Sequence, residues 1–386
     1  MRHSIRRGLS VASIATVGAI ALAACSAPAA DTGDSGDFEP ITSIKLQLQW
    51  LPQAQFAGYY VALDQGYFEE EGFDSVEIVP SGGDIVPQDA LVAGDVDFAV
   101  AWVPKVLGTL EGKGVELTDI AQVFQKSGTL QVSFADSGVA DVADFEGKRI
   151  GTWGFGNEWE IFAAMAAEGL DSETVSITTQ DFSMNALFDG DVDAAQAMTY
   201  NEWAQALEVV NPATGELYQP EDFDVVSYED TEGAMLQDAI WADTARLSDP
   251  AFADATVRFL KAITKGWVFA RDNPEEAATI AYDAAVAGNG FPVGPVHQLW
   301  QMNEVNKLIW AGGDFGLVDK AAWDKTVAGA LAAVNQDGVN LITTEPDQSA
   351  YTNEWIEKAL AELAEEGVVV DGTYTPIDVV LTEGGQ

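Results

Sequence analysis

Apolar and polar residues alternate strictly through residues 44–50 (IKLQLQW), which predicts a β-strand with one buried face. Apolar runs at 76–79 and 98–101 predict two more strands. Each follows a helix-like stretch closed by a glycine, Gly72 or Gly94, the residue that most readily ends a helix. The same order then returns. Residues 148–153 (KRIGTW), 175–178 and 194–198 read as strands, with Gly169 and Gly190 as the helix stops. Between the two sets, residues 120–124 and 130–134 read as strands of a crossover, and the chain is expected to return near 235–241. After Pro250 the period changes. Val257, Leu260, Ile263, Thr264, Trp267 and Val268 fall at helical spacing, Asn273-Pro274 breaks that helix, and further helices are expected near 294–310, 320–335 and 350–366.

The repetition extends to the residues themselves. Residues 71–75 read EGFDS and residues 168–172 read EGLDS; residues 91–99 (LVAGDVDFA) return at 187–195 as LFDGDVDAA. Alternating strands and helices imply parallel βαβ units, and two copies imply two similar α/β lobes. The paired acids Asp95, Asp97, Asp191 and Asp193 superficially suggest a metal site. Their place at a helix-to-strand turn makes them turn formers instead.

Composition adds an address. Arg2, Arg6 and Arg7 precede an apolar stretch, 9–24, too short to remain as a membrane span. Leu22-Ala23-Ala24 before Cys25 matches the lipobox of bacterial lipoproteins. Residues 1–24 are therefore expected to be a signal peptide and Cys25 the lipidation site. The mature chain would be exported and lipid-anchored to the outer face of the cytoplasmic membrane, with 25–42 a disordered tether. Cys25 is the single cysteine, so disulfides and cysteine metal sites are excluded. With 18 Lys+Arg against 62 Asp+Glu and a formal net charge of −44, nucleic acid is not a partner.

Ligands of open α/β sheets bind beyond the carboxyl ends of the strands. The six loops there are 49–60, 81–84, 102–104, 153–158, 180–183 and 199–203. Trp50, Trp102, Trp153, Phe155 and Tyr200 offer faces for stacking on a flat ring. Tyr59 is a further candidate, divided between ligand contact and core. Gln53, Gln55, Asn157 and Asn201 offer neutral donors and acceptors, with Gln125 at the crossover beside them. Asp84 and Glu158 could accept from N–H groups, and Gly83 could bring backbone N–H groups close to the ligand. Basic residues are nearly absent, apart from Lys105, which argues against an oxyanion ligand. His297 is the one histidine beyond the expected signal and reads as structural. No catalytic triad, phosphate loop, metal cluster or cofactor motif is present, so no catalytic residue, metal or cofactor is expected.

The segments 48–73 (LQWLPQAQFAGYYVALDQGYFEEEGF), 81–85 (SGGDI), 91–102 (LVAGDVDFAVAW), 120–128 (IAQVFQKSG) and 151–160 (GTWGFGNEWE) resemble the substrate-binding lipoproteins of ABC importers. The similarity is to the family shared by sulfonate-binding and thiamine-pyrimidine-synthase-like proteins. It implies a two-lobe periplasmic-binding-protein-like α/β fold of type II, each lobe a mixed sheet flanked by helices, with extra C-terminal helices. The expected division is 43–133 plus 236–386 for the first lobe and 134–235 for the second. It also implies a non-catalytic monomer that captures a vitamin-like aromatic heterocycle, riboflavin or a thiamine pyrimidine precursor, for an ABC permease and its ATPase. Two alternatives are a biosynthetic enzyme of thiamine-pyrimidine-synthase type and a binder of a sulfonate or other small solute. The enzymes of that group use a histidine and a cysteine-rich iron site that this chain does not match.

Overall fold

The computed structural model describes residues 38–82, 85–288, 293–313 and 315–386. The expected signal peptide, Cys25, most of the expected tether, Gly83 and Asp84 lie outside the described residues. The chain begins with β1 (Ser43–Gln47), α1 (Ala57–Asp64), α2 (Tyr67–Glu70), β2 (Ser75–Val79), α3 (Pro87–Ala93), β3 (Phe98–Trp102), α4 (Val103–Lys113) and β4 (Leu117–Gln122). It crosses to β5 (Thr129–Phe134), β6 (Arg149–Thr152), α5 (Trp159–Ala167), β7 (Ser176–Thr179), α6 (Asn185–Phe188), β8 (Ala194–Met198), α7 (Glu202–Leu207) and β9 (Phe223–Ser227). It returns as β10 (Asp238–Asp243) and continues into α8 (Pro250–Asp272), α9 (Pro274–Ala287), α10 (Pro295–Ile309), α11 (Lys320–Ala332) and α12 (Glu354–Glu365).

Two mixed five-stranded sheets result, ordered β2-β1-β3-β10-β4 and β7-β6-β8-β5-β9. In each, the first three strands are parallel and the fourth, contributed by a crossing segment, runs antiparallel. The duplication read from the sequence is thus a duplication of sheet order. β5 pairs antiparallel with β8 and β9, so it belongs to the second sheet. The expectation that kept the chain in the first lobe to residue 133 is corrected: the crossing falls between β4 and β5.

β3 (FAVAW) is buried at every position, as befits the middle of a sheet covered on both faces. β1 departs from its strict alternation at Gln47, which is buried and donates to the carbonyls of Leu48 (2.9 Å) and Val79 (2.9 Å). α8 starts where expected: the Asp249 carboxylate accepts from the N–H groups of Ala251 and Phe252, and Pro250 occupies the first turn. A Cβ at Gly266 or Gly58 would strike the Gly58 carbonyl or the Trp267 indole, so these glycines let α1 and α8 approach closely.

Several elements escaped the sequence pattern, among them α4, α9 and β9. α9 is so rich in alanine that its faces differ little, and β9 is a short edge strand. The late helices were expected on the first lobe alone. Instead α11 packs on α4 and α5, one from each lobe, and α10 reaches α7 of the second. At the junction, buried Glu160 of α5 accepts from Met235 N–H (3.0 Å) and Gln237 Nε2 (2.9 Å), tying the return segment to the second lobe. No helix among the described residues is long and apolar enough to cross a membrane.

Candidate functional site

The strand ends of the two sheets face each other across a cavity of about 130 Å³ that opens to solvent. Of the residues singled out from sequence, Trp50, Gln53, Gln55, Trp102, Trp153, Phe155, Asn157, Tyr200 and Asn201 line it. Tyr59, Gln125 and Glu158 do not. Tyr59 is buried in the first lobe, its ring edge-on to Trp267 at 5.6 Å, because helical spacing turns it toward α8. Gln125 turns its amide to the carbonyls of Gln122 (2.6 Å) and Leu317 (3.1 Å). Glu158 sits at the start of α5, buried, with its carboxyl raised above its ordinary value by that burial.

The first lobe supplies a hydrogen-bonded floor built around a residue the sequence reading missed. Asp238, at the start of β10, is 1% exposed. One carboxylate oxygen accepts from Trp102 Nε1 (2.8 Å) and from the Gln49 amide. The other accepts from Gln55 Nε2 at 3.0 Å, and Gln53 Nε2 donates to Gln55 Oε1 at 2.8 Å. Burial pushes the Asp238 carboxyl up to about 7, against the pull of Gln55, Trp102, Lys105 and Gln49. Lys105, whose Nζ lies 5.1 Å from the Trp102 ring centre, is pushed down to about 8 by burial, despite Glu158 and Asp238.

This network fixes the amides. Gln49 and Gln55 must turn their nitrogens to the carboxylate, and Gln53 must turn its nitrogen to Gln55. Gln49 Oε1 and Gln53 Oε1 and, on the same cavity wall, Gln88 Oε1 are buried acceptors without a hydrogen-bond partner among the described residues. Trp153 Nε1, across the cavity, is a buried donor in the same condition. These four atoms belong to residues that line the cavity, so a ligand there can meet the hydrogen-bonding capacity the fold leaves open.

The second lobe supplies the aromatic wall. Phe182 bridges the lobes, its ring centre 4.4 Å from that of Trp50 and 6.2 Å from that of Trp153, nearly parallel to the latter at 26°. Phe155 is 80% exposed at the rim and holds a φ of 56°, the left-handed region that a phenylalanine rarely adopts. Asn157 donates to the Gly154 carbonyl at 2.7 Å, and its own carbonyl accepts from Gln196 Nε2 at 2.6 Å, which fixes this loop on β8.

Asn201 is not a free ligand contact. Its Nδ2 donates to Glu202 Oε1 (2.7 Å) and its Oδ1 lies 2.9 Å from His297 Nε2. Glu202 lines the cavity, accepts from Met198 N–H (2.9 Å), and is pushed up to about 7 by burial. Glu202 and Phe182 stood inside loops already singled out. An ionisable residue just past a strand end, and a third aromatic ring, were the available signals. Asp238 interrupts the apolar run at 235–241, which was a signal of the same kind.

The paired acids hold arginines. Asp97 pairs with Arg246 (2.7 Å) and Asp193 with Arg149 (2.6 Å), and among the described residues no group of three or more His, Cys, Asp or Glu could hold a metal ion.

Known proteins are similar to this chain in sequence and fold. The formylaminopyrimidine-binding protein of Halalkalibacterium halodurans is 23% identical over 292 residues, covering 75% of this chain and 85% of that one. The riboflavin-binding protein RibY of Chloroflexus aurantiacus is 23% identical over 326 residues, covering 82% and 86%. Among solved structures, a putative periplasmic sulfonate-binding protein SsuA of Methylobacillus flagellatus has a TM-score of 0.57 at 18% identity. It covers 88% of this chain and 99% of its own, so the fold is shared. The NMT1/THI5-like family model matches residues 53–277, and the chain belongs to that family.

Proposed function

We propose that this protein is the solute-binding component of an ABC importer and that it captures an aminopyrimidine of the thiamine-precursor type between its lobes. The observation that carries the reading is the set of unpaired polar atoms on the cavity wall. Three amide oxygens, of Gln49, Gln53 and Gln88, and the Trp153 indole N–H favour a ligand with N–H donors in excess and at least one acceptor. An aminopyrimidine offers an amino group and a ring nitrogen, in a flat frame that fits beside Trp50, Phe182 and Trp153. The pyrimidine edge of a flavin offers one donor between two carbonyls, the opposite pattern. A sulfonate offers only acceptors and would meet the Gln49, Gln53 and Gln88 oxygens and Glu202, with Lys105 as the one cation among the described lining residues. The relatives named for formylaminopyrimidine and riboflavin support the ligand class.

The chain delivers its ligand to a permease and ATPase as an exported monomer, anchored by lipid on Cys25. Its lobes hinge at the two crossing segments, between β4 and β5 and between β9 and β10. His297 has both ring nitrogens engaged, so binding without turnover is the reading for the described site. Tryptophan fluorescence titration tests it. An amino-hydroxymethyl-methylpyrimidine binds below about 10 μM, near −7 kcal/mol, and more tightly than riboflavin or an alkanesulfonate. Tighter riboflavin binding would move the ligand to the flavins; no binding by any of the three would remove the importer reading.

A further inference from the structure

Four polar groups run in line from the cavity into the interior: Glu202, Asn201, His297 and Glu208. Glu202 and Asn201 line the cavity. His297, on α10, is fully buried; its Nδ1 lies 2.9 Å from Glu208 Oε1, and its Nε2 2.9 Å from Asn201 Oδ1. The line joins the second lobe's α7 to the C-terminal helices, and residue 385 closes it from outside, since a Cβ there would lie 2.7 Å from the His297 Cβ.

The Glu202 and Glu208 carboxylates, both borne on or just past α7, are the titratable groups that face this line. The short 3-10 turn at Ala54–Phe56 packs on α10 and carries no ionisable residue. The buried face of α9 is Pro274, Ala277, Ala278, Ala281 and Ala285; its charged residues Glu275, Glu276 and Asp283 are exposed. Glu383 in the last turn is also exposed, and α8 meets α10 at the other end, where Asn306 donates to the Ala270 carbonyl.

Both imidazole nitrogens face oxygens, but a singly protonated ring has one N–H to give. With Glu208 a carboxylate, two arrangements satisfy every atom. In the first, His297 carries protons on both nitrogens and Glu202 is a carboxylate accepting from Asn201 Nδ2. In the second, the Asn201 amide turns over. Its nitrogen then donates to His297 Nε2, and its oxygen accepts from a protonated Glu202. One proton has moved from Nε2 to the Glu202 carboxyl, no net charge has changed, and His297 Nδ1–H still donates to Glu208.

We propose that this line is an amide-flip switch that couples the ligand to His297. It rests on the importer reading for its purpose, not for its existence. A ligand amino group against Glu202 favours the carboxylate and places the proton on His297, whereas a ligand acceptor favours the carboxylic acid and leaves His297 singly protonated. His297 is therefore a positioning residue for ligand choice.

The test begins without ligand. In E202Q, Met198 N–H still needs an acceptor, so the new amide must turn its oxygen to Met198 and its nitrogen to Asn201. That forces the Asn201 amide over and fixes His297 as the singly protonated ring. Histidine side-chain ¹⁵N spectroscopy of the full chain reads the result directly. In wild type, adding the aminopyrimidine probe gives the pattern of two protonated nitrogens. In E202Q, the one-proton pattern holds with and without the probe. Identical ring spectra in wild type and E202Q, ligand-free and with probe, would overturn the switch. In the second arm, H297Q weakens the aminopyrimidine by about fivefold or more with an unchanged thermal midpoint. Unchanged affinity would count against the coupling. If H297Q fails to fold, the E202Q spectra still decide. If no probe binds, the importer reading falls, and the ligand-free comparison of wild type with E202Q judges the switch alone.

Discussion

The two lobes are alike at one end and different at the other. At the amino ends of their central strands, Asp97 accepts from Lys45 N–H (2.8 Å) and pairs with Arg246, while Asp193 accepts from Arg149 N–H (2.7 Å) and pairs with the same arginine's side chain. Both clamps hold the first strand of a lobe against the turn that enters its third. At the carboxyl ends the lobes part company. β3 ends in Trp102, whose indole donates to Asp238; β8 ends in Met198, whose backbone N–H donates to Glu202. Each lobe buries one carboxyl at the cleft, held by neutral side chains in the first and by backbone and an asparagine in the second. Register must be kept for the sheet to form at all, whereas the strand ends carry only the site and are free to diverge.

The sharpest way to break the comparison is at Asp238. D238A leaves Trp102 Nε1 and the Gln49 and Gln55 amides facing a buried void. Unpaired buried donors cost about 1–3 kcal/mol each, so urea unfolding should show a loss of about 4 kcal/mol or more, and aminopyrimidine binding should vanish. E202A leaves only Met198 N–H and one amide proton unpaired and should cost less than D238A. Equal losses would mean that the two carboxyls serve their lobes in the same way.

Next in size is the dependence on pH. Burial raises Asp238 and Glu202 to about 7. The folded state therefore holds protons that the unfolded chain releases above about pH 4. The cost of ionising them is absent below about pH 4, grows as pH rises through 7, and is constant above. A tenfold difference in proton affinity between the folded and unfolded chain is worth about 1.4 kcal/mol, so each group removes on the order of 4 kcal/mol between pH 4 and 8. D238N should flatten the fall by that share, and E202Q by a similar one. A stability curve with the same slope in wild type and both variants would show that neither carboxyl is protonated in the fold.

The strand framework that the two lobes share was legible in the sequence because its signals are local, whereas the clamps of Asp97 on Arg246 and Asp193 on Arg149, which join residues 149 and 44 apart, were not. Helix-stopping glycines, paired acids and apolar runs act within a few residues of one another, and nine of the ten strands followed from them. The divergent end was legible only in part. Trp50, Trp102 and Trp153 announced themselves by type at strand ends. Tyr59 did not belong, because only the packing of α1 on α8 decides which of two adjacent tyrosines is buried. Asp238 was missed because its partners, Gln49, Gln55 and Trp102, lie more than a hundred residues away in the chain, and an acid inside an apolar run gives no sign of what will surround it.

Smaller in effect, W50A sharpens the difference between wall and floor. Trp50 is half-buried and meets Phe182 across the cleft. Losing it should cost about 2 kcal/mol of ligand affinity, the scale of a stacking anchor, read by calorimetric titration, while the thermal midpoint barely moves. A midpoint that falls as far as the affinity would make Trp50 a strut between the lobes instead.

The smallest effect has opposite signs in two measurements. Phe155 holds a φ of 56° between Gly154 and Gly156, and its ring is 80% exposed, so the fold gains little from the side chain while bearing its backbone strain. F155G removes a left-handed conformation that costs a non-glycine residue about 1 kcal/mol, so stability in urea should rise by about that amount. If the ring closes over the bound heterocycle, affinity should fall by a similar amount, about 1 kcal/mol. A strained, exposed ring at the cavity rim is a poor choice for folding and a sensible one for capture. Greater stability with unchanged affinity would leave the strain without a purpose at the cleft and confine the aromatic wall to Trp50, Phe182 and Trp153.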